Sequence, residues 1–159
     1  GMIAQCYYAG SVVNGSKSGV ITNEELLELG VDILMPAALE SQITAKNANS
    51  IKAKVVVELA NGPTTPEADR ILQQKKITVV PDVLANSGGV IGSYFEWVQN
   101  NYGYYWTDDE VHDKLSKLVT AAFAKAVAKS REHGVDMRTG AYLLAVSRVA
   151  RAIGLRGGV

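Results

Sequence analysis

The apolar positions of this chain change period along its length. Up to residue 80 they fall in short blocks separated by polar turns, whereas from residue 107 they recur every three or four positions over long stretches. The first pattern is that of strands alternating with short helices, and the second is that of amphipathic helices. Residues 3–13 are apolar and β-prone apart from Gln5, Gly10 and Ser11, and they predict a strand followed by the polar loop Asn14-Gly15-Ser16-Lys17-Ser18-Gly19. Thr22 or Asn23 can cap a short helix through Glu24, Glu25, Leu26, Leu27 and Leu29, with Gly30 at its C-terminal end. Residues 31–35 predict a short strand stopped by Pro36, and residues 41–51 a polar helix. Val55, Val56 and Val57 are consecutive β-branched residues suited to a strand buried on both faces.

Thr65 followed by Pro66 reads as an N-cap and first helical residue, because proline lacks only an N–H that would be unpaired there. Glu67 and Asp69 suit the positive end of that helix, which closes near Lys75 and Lys76, and residues 77–80 form the next strand. A helix bearing Tyr94, Phe95 and Trp97 is expected over residues 88–100, then an aromatic loop over 101–106. Thr107 and Glu110 have capping-box spacing, and Val111, Leu115, Leu118, Ala122 and Ala126 make one apolar stripe that Gly134 closes. A second amphipathic helix runs from about Arg138 to Gly154.

Strand, loop, helix, strand recurring at short spacing argues for a parallel sheet with right-handed crossovers. The expected fold class is therefore α/β, Rossmann-like and doubly wound, with C-terminal helices. A single domain is expected over residues 1–159, its α/β part covering 3–100 and its helical segment 107–154. In such a sheet ligands bind at the carboxyl ends of strands. Two Asn-bearing loops stand at such ends: residues 58–69, with Asn61, and residues 81–89, with Asn86. A side-chain amide both donates and accepts, which suits a ribose or a carboxamide, although Asn61-Gly62-Pro63 taken alone is an ordinary turn.

Composition narrows the function classes. The 159 residues are 47% hydrophobic and 20% charged, ordinary for a globular domain with a real core. Sixteen basic and sixteen acidic side chains balance to zero, which gives no general attraction to nucleic acid or anionic membrane. The single cysteine, Cys6, excludes an internal disulfide, and with no apolar run of membrane-spanning length or signal-peptide layout the expected compartment is cytoplasmic. Gly1 before Met2 reads as an expression scar.

Other chemistry is thin. Residues 10–18 imitate a phosphate-cradling P-loop, but Ser16 breaks the spacing between Gly15 and Lys17. His112 and His133 fall at opposite ends of one helix and cannot share a metal, and no Cys or carboxylate cluster has ligand spacing, so no metal is expected. Ser93 lies in no nucleophile elbow. Tyr102, Tyr104, Tyr105 and Trp106 lack the clustered cations of a base-stacking platform and are better explained by packing against a neighbouring domain or subunit. Arg138, Arg148, Arg151 and Arg156 are expected on a solvated or interdomain face, with an anion site as the alternative.

The segments Pro36-Ala37-Ala38-Leu39-Glu40, residues 58–68 from Glu58-Leu59-Ala60-Asn61-Gly62-Pro63, residues 81–90 from Pro81-Asp82-Val83-Leu84-Ala85-Asn86, and Ser93-Tyr94-Phe95-Glu96-Trp97 resemble, in this order, the C-terminal nucleotide-binding domain of glutamate dehydrogenases. Those enzymes belong to the wider Glu/Leu/Phe/Val dehydrogenase family, and the resemblance covers about residues 13–154. It implies reversible oxidation of L-glutamate to 2-oxoglutarate and ammonia with NAD or NADP, in a homo-oligomer, usually a hexamer. It further implies that Asn61 and Asn86 sit beside the nicotinamide ribose and carboxamide, that Pro36 and Ala37 line the adenosine side, and that the Ser93 hydroxyl touches the substrate's side-chain carboxylate.

The departures from the family pattern matter as much. The glycine fingerprint G-x-G-x-x-[GA], which holds pyrophosphate on a helix N-terminus, does not occur in the 159 residues, nor does the family's segment with the catalytic lysine and aspartate. Where the family reads the ribose hydroxyls, this chain has Asn14-Gly15. The expectation is a truncated cofactor domain with no catalytic residues of its own, weak or no NAD(P) binding, and no activity in isolation. The alternative is a non-catalytic interaction module associating with full-length enzyme. With the first strand of the doubly wound sheet missing, residues 3–13 are expected to close against the strand at 33–35, or two chains to pair over the exposed edges.

Overall fold

The computed structural model describes residues 21–157. The predicted strand at 3–13, the P-loop imitation at 10–18 and Asn14-Gly15 lie outside the described residues, and with them the proposed closure of the sheet. Three strands, β1 (Ile33–Leu34), β2 (Val55–Val57) and β3 (Thr78–Val80), form a parallel sheet in the order β1-β2-β3. Val56 pairs with Leu34 on one side and Val79 on the other, so the valine strand is central, and Val56 itself is fully buried.

Helix α1 (Asn23–Leu27) precedes β1 and opens on a full capping box between Thr22 and Glu25. It ends earlier than the sequence suggested, with Glu28 rather than Gly30 as its cap. Helix α2 (Pro66–Gln74) joins β2 to β3 and starts as expected, the Thr65 side chain accepting from Ala68 N with Pro66 in the first turn. Lys75 caps its far end and sends its ammonium across to the carbonyls of Ala48, Asn49 and Ile51. That cation therefore satisfies orphan acceptors of a neighbouring segment rather than of its own helix.

The expected helix over 41–51 is absent, apart from a single 3-10 turn at Ala48–Ser50. Ser41 takes a positive φ of 53°, Ile43 pairs with Thr64 in an isolated parallel bridge, and Asn47 bonds Thr44 N and the Gln42 carbonyl with its side chain. Asn47 offers the backbone partners that compete with helical hydrogen bonds, and the contacts of Ile43 are with a loop distant in sequence. Helix periodicity alone could not reveal that.

Helix α3 (Asp82–Ala85) is one turn, unforeseen from sequence, and Asn86 links it to α4 (Ser87–Tyr102). Gly103 ends α4 in the left-handed region. Phe95 meets Trp106 edge to face at 5.4 Å, and Lys114 Nζ stands 4.9 Å from the Trp106 ring centre. The long helix α5 (Asp108–His133) has the predicted capping box at Thr107 and Glu110 and the predicted stop at Gly134, which takes the left-handed conformation. Helix α6 (Met137–Leu155) is capped by Asp136 and folds back along α5. One core holds the sheet against α1, α2 and the 3-10 segment, around Ile43, Val56 and Leu72, and a second, around Leu84, Ala126 and Ala141, ties α5 and α6 to the strand ends. No described helix is long and apolar enough to cross a membrane.

Candidate functional site at the strand ends

Parallel strands deliver their carboxyl ends to one side of the sheet, so the segments after β1, β2 and β3 meet there. The Pro36 carbonyl, just beyond β1, accepts from Leu59 N at 3.0 Å and Ala60 N at 2.9 Å. The loop after β2 is thereby fastened to the loop after β1. Its next residues are held by Ser41 N on the Gly62 carbonyl at 2.9 Å and Ile43 N on the Pro63 carbonyl at 2.8 Å. Gly62 takes φ 54°, a left-handed turn that aims its N–H at Asp82 Oδ2, 2.8 Å away on α3.

These anchors bring the two predicted asparagines together. Asn86 Nδ2 donates to Asn61 Oδ1 at 2.7 Å, joining the loops after β2 and β3. Asn86 stands at the entry to α4 with no side-chain cap bond, so its amide serves Asn61 instead. Among the described residues, Asn61 Nδ2 and Asn86 Oδ1 make no hydrogen bond, and the pair presents one amide donor and one acceptor at the strand ends. Pro36 and Ala37 line a separate cleft of about 190 Å³ between α1 and the loop after β1, with Leu26, Leu34, Leu39 and Gln42. Ser93 is exposed on α4 and donates to the Gly89 carbonyl of its own helix at 3.2 Å. No hydrogen bond ties it to the asparagine pair.

Behind the asparagines lies an ionic cluster that the sequence did not disclose. Arg138, expected on a solvated or interdomain face, is turned inward with its side chain 20% exposed. Its Nη1 and Nη2 donate to the two oxygens of Glu58 at 2.9 and 2.7 Å, and its Nε reaches Asp69 Oδ2 at 3.0 Å. Asp82 Oδ1 lies 3.7 Å from Nη1. Burial alone would lower the affinity of the guanidinium for its proton. The bonds and charges of Glu58 and Asp69 override it and hold Arg138 well above the usual arginine range. Glu58 is fully buried and also accepts from Asp82 N at 2.9 Å. A carboxylate that directly prolongs a buried valine strand must find such partners, and that signal was available. Which of the arginines answers it was not. Among the described residues no group of acidic, His or Cys side chains could hold a metal ion.

Residues 4–157 match the family described as Glutamate/Leucine/Phenylalanine/Valine dehydrogenase. The chain belongs to that family. It is 57% identical over 148 residues to the glutamate dehydrogenase of Thermotoga maritima, a match covering 93% of this chain and 36% of that protein. The NAD-specific glutamate dehydrogenase of Staphylococcus aureus is 56% identical over 137 residues, covering 86% of this chain and 33% of that protein. Among solved structures, hetero-hexameric glutamate dehydrogenase from Thermus thermophilus superposes with a TM-score of 0.84 at 35% identity, over 87% of this chain and 33% of that one. The enzyme from Peptoniphilus asaccharolyticus gives 0.73 at 48% identity, over 77% and 31%. The chain thus spans about a third of the length of the dehydrogenases it matches. Among the described residues, the strand-end site stands on a three-stranded parallel sheet with flanking helices.

Proposed function

We propose that this chain supplies the nicotinamide wall of the cofactor site of a glutamate dehydrogenase, with NAD or NADP as cofactor and L-glutamate or 2-oxoglutarate as substrate, within a homo-oligomer. The observation that carries this is the Asn86 to Asn61 hydrogen bond of 2.7 Å across the ends of two adjacent parallel strands. The unused donor and acceptor of that pair match the mixed polarity of a carboxamide and ribose. The apolar cleft at Pro36 and Ala37 suits the flat face of an adenosine. The exposed Ser93 hydroxyl would donate to a substrate carboxylate on giving up its 3.2 Å bond to the Gly89 carbonyl. When bound, the nicotinamide accepts hydride from the substrate. The role of this chain is to hold and orient that ring, and its 159 residues contain no pyrophosphate fingerprint. The isolated chain is therefore proposed to be inactive and to bind dinucleotide weakly or not at all.

The test is a chimera in which this chain replaces the matching third of the Thermotoga relative. An active chimera whose KM for NAD rises ~10-fold on Asn61→Ala or Asn86→Ala, the loss of about one hydrogen bond, is the expected result. Unchanged KM in both variants overturns the assignment. Glutamate-dependent NAD reduction by the chain alone overturns its inactivity. A second role, association with full-length enzyme, is favoured by exposed Tyr94, Trp97, Tyr102, Tyr104 and Tyr105 on and after α4. Sizing the chain with and without full-length Thermotoga enzyme checks it, since only this role gives a stable mixed complex.

A further inference from the structure

We infer that Arg138 is a positioning residue for the asparagine pair, acting from the C-terminal helix through Asp82. The claim about geometry stands on the contacts themselves, and its meaning for the cofactor rests on the assignment of Asn61 and Asn86 above.

Four steps connect α6 to the strand ends. Arg138 leaves the first turn of α6 and grips Glu58, the residue that follows β2, through both carboxylate oxygens. Glu58 Oε2 accepts from Asp82 N, which fixes the start of α3. The Asp82 carboxylate, 3.7 Å from Arg138 Nη1, receives Gly62 N on one oxygen and Val83 N on the other. Gly62 follows Asn61 directly, and α3 ends at Asn86. Both asparagines therefore hang from Asp82, one on each side.

The chemistry favours a device for orientation over one for stability. Replacing a buried ion pair by apolar residues is often neutral or stabilising, so several carboxylates gathered round a single guanidinium are a poor way to hold a helix down. A planar guanidinium instead fixes two carboxylates at set angles, which an ammonium does not. Asp82 is also the only residue that hydrogen-bonds Gly62 N among the described residues, and the asparagine bond of 2.7 Å needs the two loops in register to within a fraction of an ångström. Arg138→Lys keeps the charge and loses the fork. It should leave the chain folded while letting Asp82, and with it Gly62, drift.

The experiment follows the side-chain amide signals of Asn61 and Asn86 by nuclear magnetic resonance in the 15N-labelled full chain. Arg138→Lys, Asp82→Ala and Leu144→Ala are each compared with the parent, with the unfolding midpoint measured in parallel. Leu144 packs on the Leu84, Ala126 and Ala141 core, against the middle of α3, and makes none of the relay's hydrogen bonds. The expected result is that Arg138→Lys and Asp82→Ala both shift the Asn86 amide pair and narrow the separation of its two protons. Leu144→Ala lowers the midpoint and leaves those signals in place. Asn signals unmoved in folded Arg138→Lys overturn the inference, as does an equal movement in Leu144→Ala. Should Arg138→Lys fail to fold, Glu58→Gln is read in its place under the same criterion, because it keeps the side-chain shape and removes the carboxylate that Arg138 grips. A chimera indifferent to Asn61→Ala removes the cofactor assignment and leaves the relay standing, so the two ideas fail separately.

Discussion

Arg138 and Glu58, eighty positions apart, form a two-pronged ion pair at 2.9 and 2.7 Å with the carboxylate wholly buried. The contact joins the first turn of the last helix to the residue that follows the central strand, three positions before Asn61.

Removing one partner strands a charge. Arg138→Met should lower unfolding stability by about 3–5 kcal/mol, since Glu58 would then be buried without a counter-ion. Adding Glu58→Met to it should recover part of that loss. Chemical denaturation of both singles and the double gives the coupling directly. Additive losses would show that the pair does not act as a unit.

Two glycines of α6 should respond oppositely to alanine. A Cβ on Gly140 would stand 2.7 Å from Ser130 N and 2.9 Å from Ser130 Cα, backbone atoms of α5 that cannot swing aside. A Cβ on Gly154 meets nothing within 4 Å among the described residues. Gly154→Ala should gain roughly 0.5–1 kcal/mol from helix propensity. In Gly140→Ala that gain is outweighed by an overpacking cost of about 1–3 kcal/mol or more, for a net loss. Thermal midpoints moving in the same direction would refute this account of the α5 and α6 crossing.

Among the described residues, the buried side-chain oxygen Thr64 Oγ1 has no hydrogen-bond partner. Thr64→Val keeps the shape and removes the stranded hydroxyl, so it should raise stability by roughly 1 kcal/mol, the lower part of the penalty for an unpaired buried polar group. A measurable loss in the denaturation midpoint would mean that the hydroxyl has a partner in solution.

Asp136 caps α6, accepting from Thr139 N at 2.9 Å and Thr139 Oγ1 at 2.7 Å. Partial burial pushes its carboxyl up, but these bonds together outweigh that and hold it below the usual carboxylate range. A carboxyl depressed in the folded state adds stability above its unfolded pKa of about 3.9, and that contribution drains away as pH falls through the lower folded value. Asp136→Asn keeps a cap that does not titrate. The difference in midpoint between the two proteins, followed from neutral pH downward, should therefore move in favour of the asparagine variant below about pH 4. A flat difference would exclude Asp136 as an acid-sensitive cap.

Most elements were legible because their signals are local. The Thr65-Pro66 start, the Thr107 and Glu110 box and the Gly134 stop depend on residues within one turn of each other, and each occurs as read. The consecutive valines marked a strand suited to burial on both faces, and β2 lies between two neighbours with Val56 fully buried and Val55 and Val57 half-buried. Residues 41–51 misled for the opposite reason, since their conformation is set by Ile43 pairing with Thr64 and by the side chain of Asn47. Helix α3 was missed because one turn carries no periodicity.

By itself the sequence determined the parallel α/β class, the family motifs and the placing of Asn61 and Asn86 at strand ends, since each follows from spacing along the chain. Only the tertiary structure decided that those asparagines bond to each other, that Ser93 turns back on its own helix, and that Arg138 points inward rather than to solvent. Those outcomes depend on which distant groups share a small volume. A buried carboxylate such as Glu58 demands a cation, but chain spacing cannot say which cation the fold delivers to it.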